Sequence, residues 1–95
     1  MEQENEEKKY KVVWKNKIRK QISKCPVKVQ RKFFQLVRDI ERKGAIQKEW
    51  SNFSVLGKDF YHCHLDYRWA AVWYWEKNTI VVEVTYVGSR ENTPY

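Results

Sequence analysis

SVLGKDFYHCHL (residues 54–65), DYRWAAVWYW (66–75) and TIVVEVTYVG (79–88) follow one another toward the end of the chain. These runs are dense in Val, Trp, Tyr and Phe, residues that suit a pleated, half-buried surface. The breaks between them, LDY and EKNT, fit hairpin turns. The spacing predicts a three-stranded antiparallel meander. Along its first strand Tyr61, Cys63 and Leu65 fall on one face and Phe60, His62 and His64 on the other, because successive strand side chains point to opposite sides. The apolar trio is expected against the core, and both histidines are expected on the open face of the sheet. Trp69, Trp73 and Trp75 share one face of the second strand, and at least one of them is expected to be buried.

Upstream the periodicity changes. KYKVVWK (9–15) alternates bases with Tyr10, Val12 and Trp14, as a short strand with one wet face does. Asn16 is placed to cap a helix whose Ile18, Ile22 and Cys25 lie on one face, and Pro26 ends it. A second helix is predicted from about Val27 to Arg42, with Val29, Phe33, Leu36, Val37 and Ile40 as its apolar stripe and Gly44 as its stop. The order strand, helix, helix, strand, strand, strand implies a small single α+β domain: an antiparallel sheet with a helical hairpin on one face. Residues 1–8 read as a flexible acidic tail, and residues 9–95 as the domain.

At 95 residues the chain has room for one modest core. No apolar run approaches the roughly 20 residues that span a bilayer. No leader-like segment stands at Met1, and the two cysteines lie in dissimilar settings, so a cytoplasmic protein with reduced thiols is expected. The net charge of +7 is unevenly laid out. Between Lys8 and Lys48 there are 15 of the 19 Lys and Arg residues against two acids, while acids outnumber bases from Glu49 onward. Lys15, Lys17, Arg19, Lys20, Lys24, Lys28, Arg31, Lys32 and Arg38 map to the outer surface of the helical pair. Such a layer favours a polyanionic partner, since each phosphate contacted releases condensed counterions; a solvated helical surface without a partner is the plainer alternative.

The run YHCHLDYRW (61–69) admits three readings. His-x-His on a strand can chelate a metal, but Asp59, Asp66 and Glu83 are further ligands by proximity only, and Cys63 faces away. Two imidazoles with ordinary pKa values near 6.5 can take and give protons at neutral pH. Third, they are surface residues of a strand. Arg68 follows at once, and the chain closes on SRENTPY, which places Arg90 and Tyr95 just past the last strand. In a meander the second and third strands pair, so Arg68, Arg90 and the histidines converge at one side of the sheet. Two guanidiniums, two imidazoles and a phenol are suited to holding a phosphate and moving protons around it, without metal or cofactor.

From KVVW to its end the chain resembles the RelE/ParE superfamily of toxins from toxin-antitoxin systems. The resemblance rests chiefly on Tyr61-His62-Cys63-His64-Leu65, on Tyr67-Arg68, and on Val87-Gly88-Ser89-Arg90 followed by Tyr95. It implies a RelE-like fold and a metal-independent endoribonuclease that cleaves translated messenger RNA on the ribosome by attack of a ribose 2′-hydroxyl on the adjacent phosphate. It further implies that Arg68 stabilises the scissile phosphate, that Arg90 assists it or acts at the leaving 5′-oxygen, and that Tyr95 stacks on a nucleotide or orients the 2′-hydroxyl. His62 and His64 stand where RelE has two lysines. Lys15, Lys17, Lys20, Lys24, Lys28, Arg31 and Lys32 would dock on ribosomal RNA, exposed Trp and Tyr of the sheet would stack on bases, and an antitoxin with acidic residues would cover the sheet or the helical pair. A ParE-like toxin that binds DNA gyrase without cutting RNA, and a catalytically silent homologue that only binds its antitoxin, are the alternatives.

Overall fold

Pro26 divides the helical half of the chain. A computed structural model describes residues 8–94, and in it this proline occupies the N-cap of the longer of two helices. The elements in chain order are β1 (Lys11–Val13), α1 (Asn16–Ser23), α2 (Val27–Lys43), β2 (Ser54–Val55), β3 (Phe60–Asp66), β4 (Trp69–Tyr74) and β5 (Val81–Ser89), followed by one 3-10 turn at Arg90–Asn92. Asn16 does not cap α1 as anticipated: the helix begins on it, with Lys15 in the N-cap position and no side-chain cap. The stretch of the acidic tail before Lys8, and Tyr95, lie outside the described residues.

α2 buries Val29, Phe33, Leu36, Val37 and Ile40, the predicted stripe, and α1 adds Ile18 and Ile22. Gly44 terminates α2 at φ 95°, with its amide donating to the Ile40 carbonyl. A Cβ at this position would stand 2.9 Å from the Tyr10 ring, so both the backbone and the space demand glycine.

The sheet has five strands in the order β1-β5-β4-β3-β2. β1 runs parallel to β5, and the other neighbours are antiparallel. The run 54–65, read above as one strand, is a hairpin. Gly57 (φ 69°) and Asp59 (φ 67°) turn the backbone left-handed, and β2 folds back so that Ser54 pairs with His62 and Val55 with Tyr61. β1 reaches only as far as Glu83 on β5. Beyond that point α1 packs against β5, and the Gln21 side-chain oxygen accepts from the Val87 amide at 2.9 Å, satisfying an edge donor that no strand pairs.

Tyr61, Cys63, Leu65, Ala71, Trp73, Val82, Val84 and Val87 form the sheet's side of the core. Trp73 is completely buried, and its indole N–H donates to the Ala45 carbonyl at 3.0 Å, so the ring is buried without an orphaned donor. Trp69 and Trp75 are half-buried against the same core. Trp73 is thus the buried member of the trio, as the sequence pattern anticipated. Cys25 and Cys63 are both buried free thiols, and burial pushes Cys63 up to about 12. No described helix is long and apolar enough to cross a membrane.

Candidate active site

Strand alternation and register place the site on the sheet face away from the helices. His62 pairs across β4 with Val72 and onward to Tyr86 of β5; His64 pairs with Ala70 and onward to Gly88. The second of these rows holds two of the smallest side chains available, and Ala70 is completely buried. Gly88 has a further role, since a Cβ there would meet the Tyr86 hydroxyl at 2.8 Å. That hydroxyl donates to the Ser89 carbonyl at 2.7 Å, fixing the end of β5 from which Arg90 departs.

The two histidines are not equivalent. The expectation that both stand on an open face fails for His62, which is only 3% exposed although it points away from the core cluster. β2 and the loop before it fold over this end of the sheet. Ser54 Oγ lies 3.2 Å from His62 Nδ1, and the ring also hydrogen-bonds to the Asn52 backbone. His64 stays half-exposed, its ring edge-on to His62 with centroids 5.1 Å apart. Burial lowers the pKa of His62, the neighbouring His64 and Arg90 lower it further, and the Asn52 bond partly offsets them. Burial, then Arg90, lower the pKa of His64 as well. Both rings therefore favour the neutral form more than a free imidazole does, and His64 is the one that a substrate can reach.

Arg68 and Arg90 meet at one end of the sheet, where Trp69 pairs with Ser89. The Arg90 amide donates to the Arg68 carbonyl at 2.9 Å, and Arg90 Nη1 donates to the Tyr67 carbonyl at 2.7 Å. Ser89 Oγ accepts from the Glu91 amide and caps the 3-10 turn that carries Arg90. Both arginines are exposed and line an open cleft of about 530 Å³ together with Tyr67, Trp69, Ser89 and Glu91. The structure thus brings together four of the five site residues anticipated from sequence; the fifth, Tyr95, lies outside the described residues.

Lys15, Lys17, Lys20, Lys24, Lys28, Arg31 and Lys32 are all exposed. Two of these cations lean toward the site. Lys28 Nζ is 4.0 Å from Asp66, beside the Tyr67–Arg68 turn, and Lys32 lines a second cleft that also includes His64. The basic layer is consequently continuous with the site. Sequence reasoning missed Ser54 and Asn52, and it named Tyr67 without giving it a role. The first two act through the fold-back of β2, while the exposed Tyr67 entered only as half of the Tyr67-Arg68 pair. Among the described residues no group of three or more His, Cys, Asp or Glu is gathered to hold a metal ion.

No protein-family model matches the sequence, and no curated protein matches it significantly. Solved structures do share the fold. An archaeal RelE–RelB complex from Pyrococcus horikoshii OT3 superposes with a TM-score of 0.71 at 14% identity, covering 90% of this chain and 99% of that one. A double-arginine variant of the E. coli toxin RelE in the free state gives 0.70 at 19% identity, over 88% and 86% of the two chains. The YoeB dimer from Staphylococcus aureus gives 0.65 at 14% identity, over 86% and 98%. The chain thus shares its fold with RelE and YoeB toxins, the RelE-like fold that the sequence resemblance implied.

Proposed function

We propose that this chain is the toxin of a toxin-antitoxin pair and acts as a metal-independent endoribonuclease on messenger RNA at the ribosome. The observation that carries this reading is the convergence of two exposed guanidiniums with a neutral, reachable imidazole. Arg90 is near enough to lower the pKa of both histidines, and Arg68 stands beside it in the same cleft.

His64 takes the proton of a ribose 2′-hydroxyl as general base. The 2′-oxygen bonds to the adjacent phosphorus, the bond from phosphorus to the 5′-oxygen breaks, and the products are a 2′,3′-cyclic phosphate and a 5′-hydroxyl. Arg68 and Arg90 stabilise the charge that accumulates on the phosphoryl oxygens, and Arg90 also serves the leaving 5′-oxygen, which takes its proton from solvent. Guanidiniums suit this work because they remain charged throughout. His62 orients His64 from below, held by Ser54 and Asn52. Tyr95 would add a stacking surface. The exposed Lys/Arg layer supplies salt-sensitive, sequence-independent docking on ribosomal RNA. An antitoxin carrying acidic residues would pair with the same charges; the archaeal RelE of similar fold is itself in complex with RelB.

Inducing the chain in cells and mapping new 5′ ends on messenger RNA tests this reading. Cuts inside translated codons are expected. Intact messages accompanied by DNA damage would replace it with gyrase poisoning.

A further inference from the structure

A second cleft, of about 510 Å³, lies between α2 and the end of β3. It shares Tyr67 with the cleft of the two arginines, and His64 stands on its wall. Tyr67 is 76% exposed, far more than a packing aromatic, and the residue borders both spaces. On the far side the Trp50 ring is fixed: its indole N–H donates to Asp39 at 2.9 Å, and Lys32 Nζ sits 5.9 Å from its centroid. The cleft thus has aromatic walls and a basic rim, and it opens beside the proposed general base.

Its acidic groups differ in availability. Asp39 is occupied by Trp50 and by Arg42 Nη2 at 2.6 Å. Asp66 accepts from the Tyr67 amide and faces Lys28. Glu49 is exposed and has no hydrogen-bond or ion-pair partner among the described residues. An ionised carboxylate only accepts hydrogen bonds, so it favours a base edge that carries an amino group and repels one that offers a carbonyl oxygen in its place.

We infer that this cleft receives one unpaired nucleobase of the RNA, stacked on Tyr67, and that Glu49 selects bases with an exocyclic amino group over uracil. The inference rests on the nuclease reading above for the identity of the polymer, and it adds the way a base is chosen. Single-stranded RNA is read in this manner, by aromatic stacking and hydrogen bonds along exposed base edges. A base seated there leaves its ribose next to His64 and directs its phosphate toward Arg68 and Arg90. Lys28 and Lys32 meet the neighbouring backbone charge.

The test is a titration of the full chain with the trinucleotides AAA, CCC and UUU, followed by NMR at the Trp50 indole N–H and the Tyr67 ring. AAA and CCC should shift both resonances and bind at least several-fold more tightly than UUU. Glu49→Gln, whose amide can donate to a carbonyl, should bring UUU within about twofold of the others, and Tyr67→Ala should weaken all three on the order of tenfold. Equal binding of UUU by the unaltered chain, or unmoved Trp50 and Tyr67 signals with every trinucleotide, overturns the inference. Because the readout is binding, the expected pattern without message cleavage contradicts only the nuclease reading. Message cleavage without the pattern contradicts only the base cleft.

Discussion

Arg90 Nη1 donates to the Tyr67 carbonyl across 2.7 Å, tying the end of the last strand to the turn that presents Arg68. With the bond from the Arg90 amide to the Arg68 carbonyl, this holds the Arg90 guanidinium against the backbone from which the exposed Arg68 side chain departs. A site whose charges are held in advance need not reorganise when a phosphate arrives.

Replacing Arg90 by alanine removes a charge and this strut while leaving the core untouched. Cleavage by Arg90→Ala should fall by roughly 10²- to 10³-fold with an unchanged circular dichroism spectrum. Arg90→Lys should recover only part of the loss, because an ammonium cannot hold Tyr67 and a phosphate with one planar fork. Unaltered single-turnover rates in Arg90→Ala would remove this residue from the reaction.

The two histidines should separate kinetically. His64→Gln is expected to lower kcat by roughly 10²- to 10⁴-fold, the usual value of a general base. His62→Gln should cost less, since its ring is buried behind Ser54 and Asn52. The pKa of His64 lies below the ordinary 6.5, so the midpoint of the acid limb of kcat/KM should lie below that pH. A midpoint at or above pH 6.5 would assign the base elsewhere.

Lowered histidine pKa values also set the acid stability of the fold. The folded rings bind protons more weakly than the unfolded chain, whose histidines titrate near 6.5. Below about pH 6.5 the unfolded state holds more protons, so stability drops as pH falls toward the lowered folded values and then levels off. One histidine contributes at most about 1.4 kcal/mol per pH unit in that window. Urea midpoints measured between pH 7.5 and 4.5 should show the decline, and His62→Gln should make it shallower. Carboxylates titrating lower down leave a separate decline that both proteins share.

Two substitutions test the frame that carries the site. Gly44→Ala meets both a left-handed backbone and the Tyr10 ring, and should cost about 1–3 kcal/mol. Leu36→Ala empties a fully buried position under the sheet, with an expected cost of about 2–5 kcal/mol. Denaturant unfolding reads both; a neutral Gly44→Ala would mean that the end of α2 rearranges freely.

Much of this arrangement was legible in the residue pattern, because it depends on periods of two and 3.6. The stripe from Val29 to Ile40, the burial of Tyr61, Cys63 and Leu65, and the meeting of Arg68 with Arg90 all follow from alternation and from pairing of adjacent strands. What alternation cannot convey is which part of a face a neighbouring segment covers. The burial of His62 arises from two residues with positive φ, Gly57 and Asp59, that turn one apparent strand into a hairpin. The position of Tyr67 was hidden for the complementary reason. A turn residue has no face, and its place between two clefts exists only once α2 has packed against β3.

The central claim is that Arg68, Arg90 and His64 together cleave RNA through the 2′-hydroxyl. Purified ribosomes programmed with a defined message and incubated with the chain in the presence of EDTA at a concentration that leaves ribosomal magnesium in excess test it directly, with the cleaved ends identified chemically. Fragments bearing a 2′,3′-cyclic phosphate and a 5′-hydroxyl, formed by the unaltered chain and lost with His64→Gln, are the predicted result. A message left whole, or cut to 3′-hydroxyl and 5′-phosphate ends, would contradict the claim.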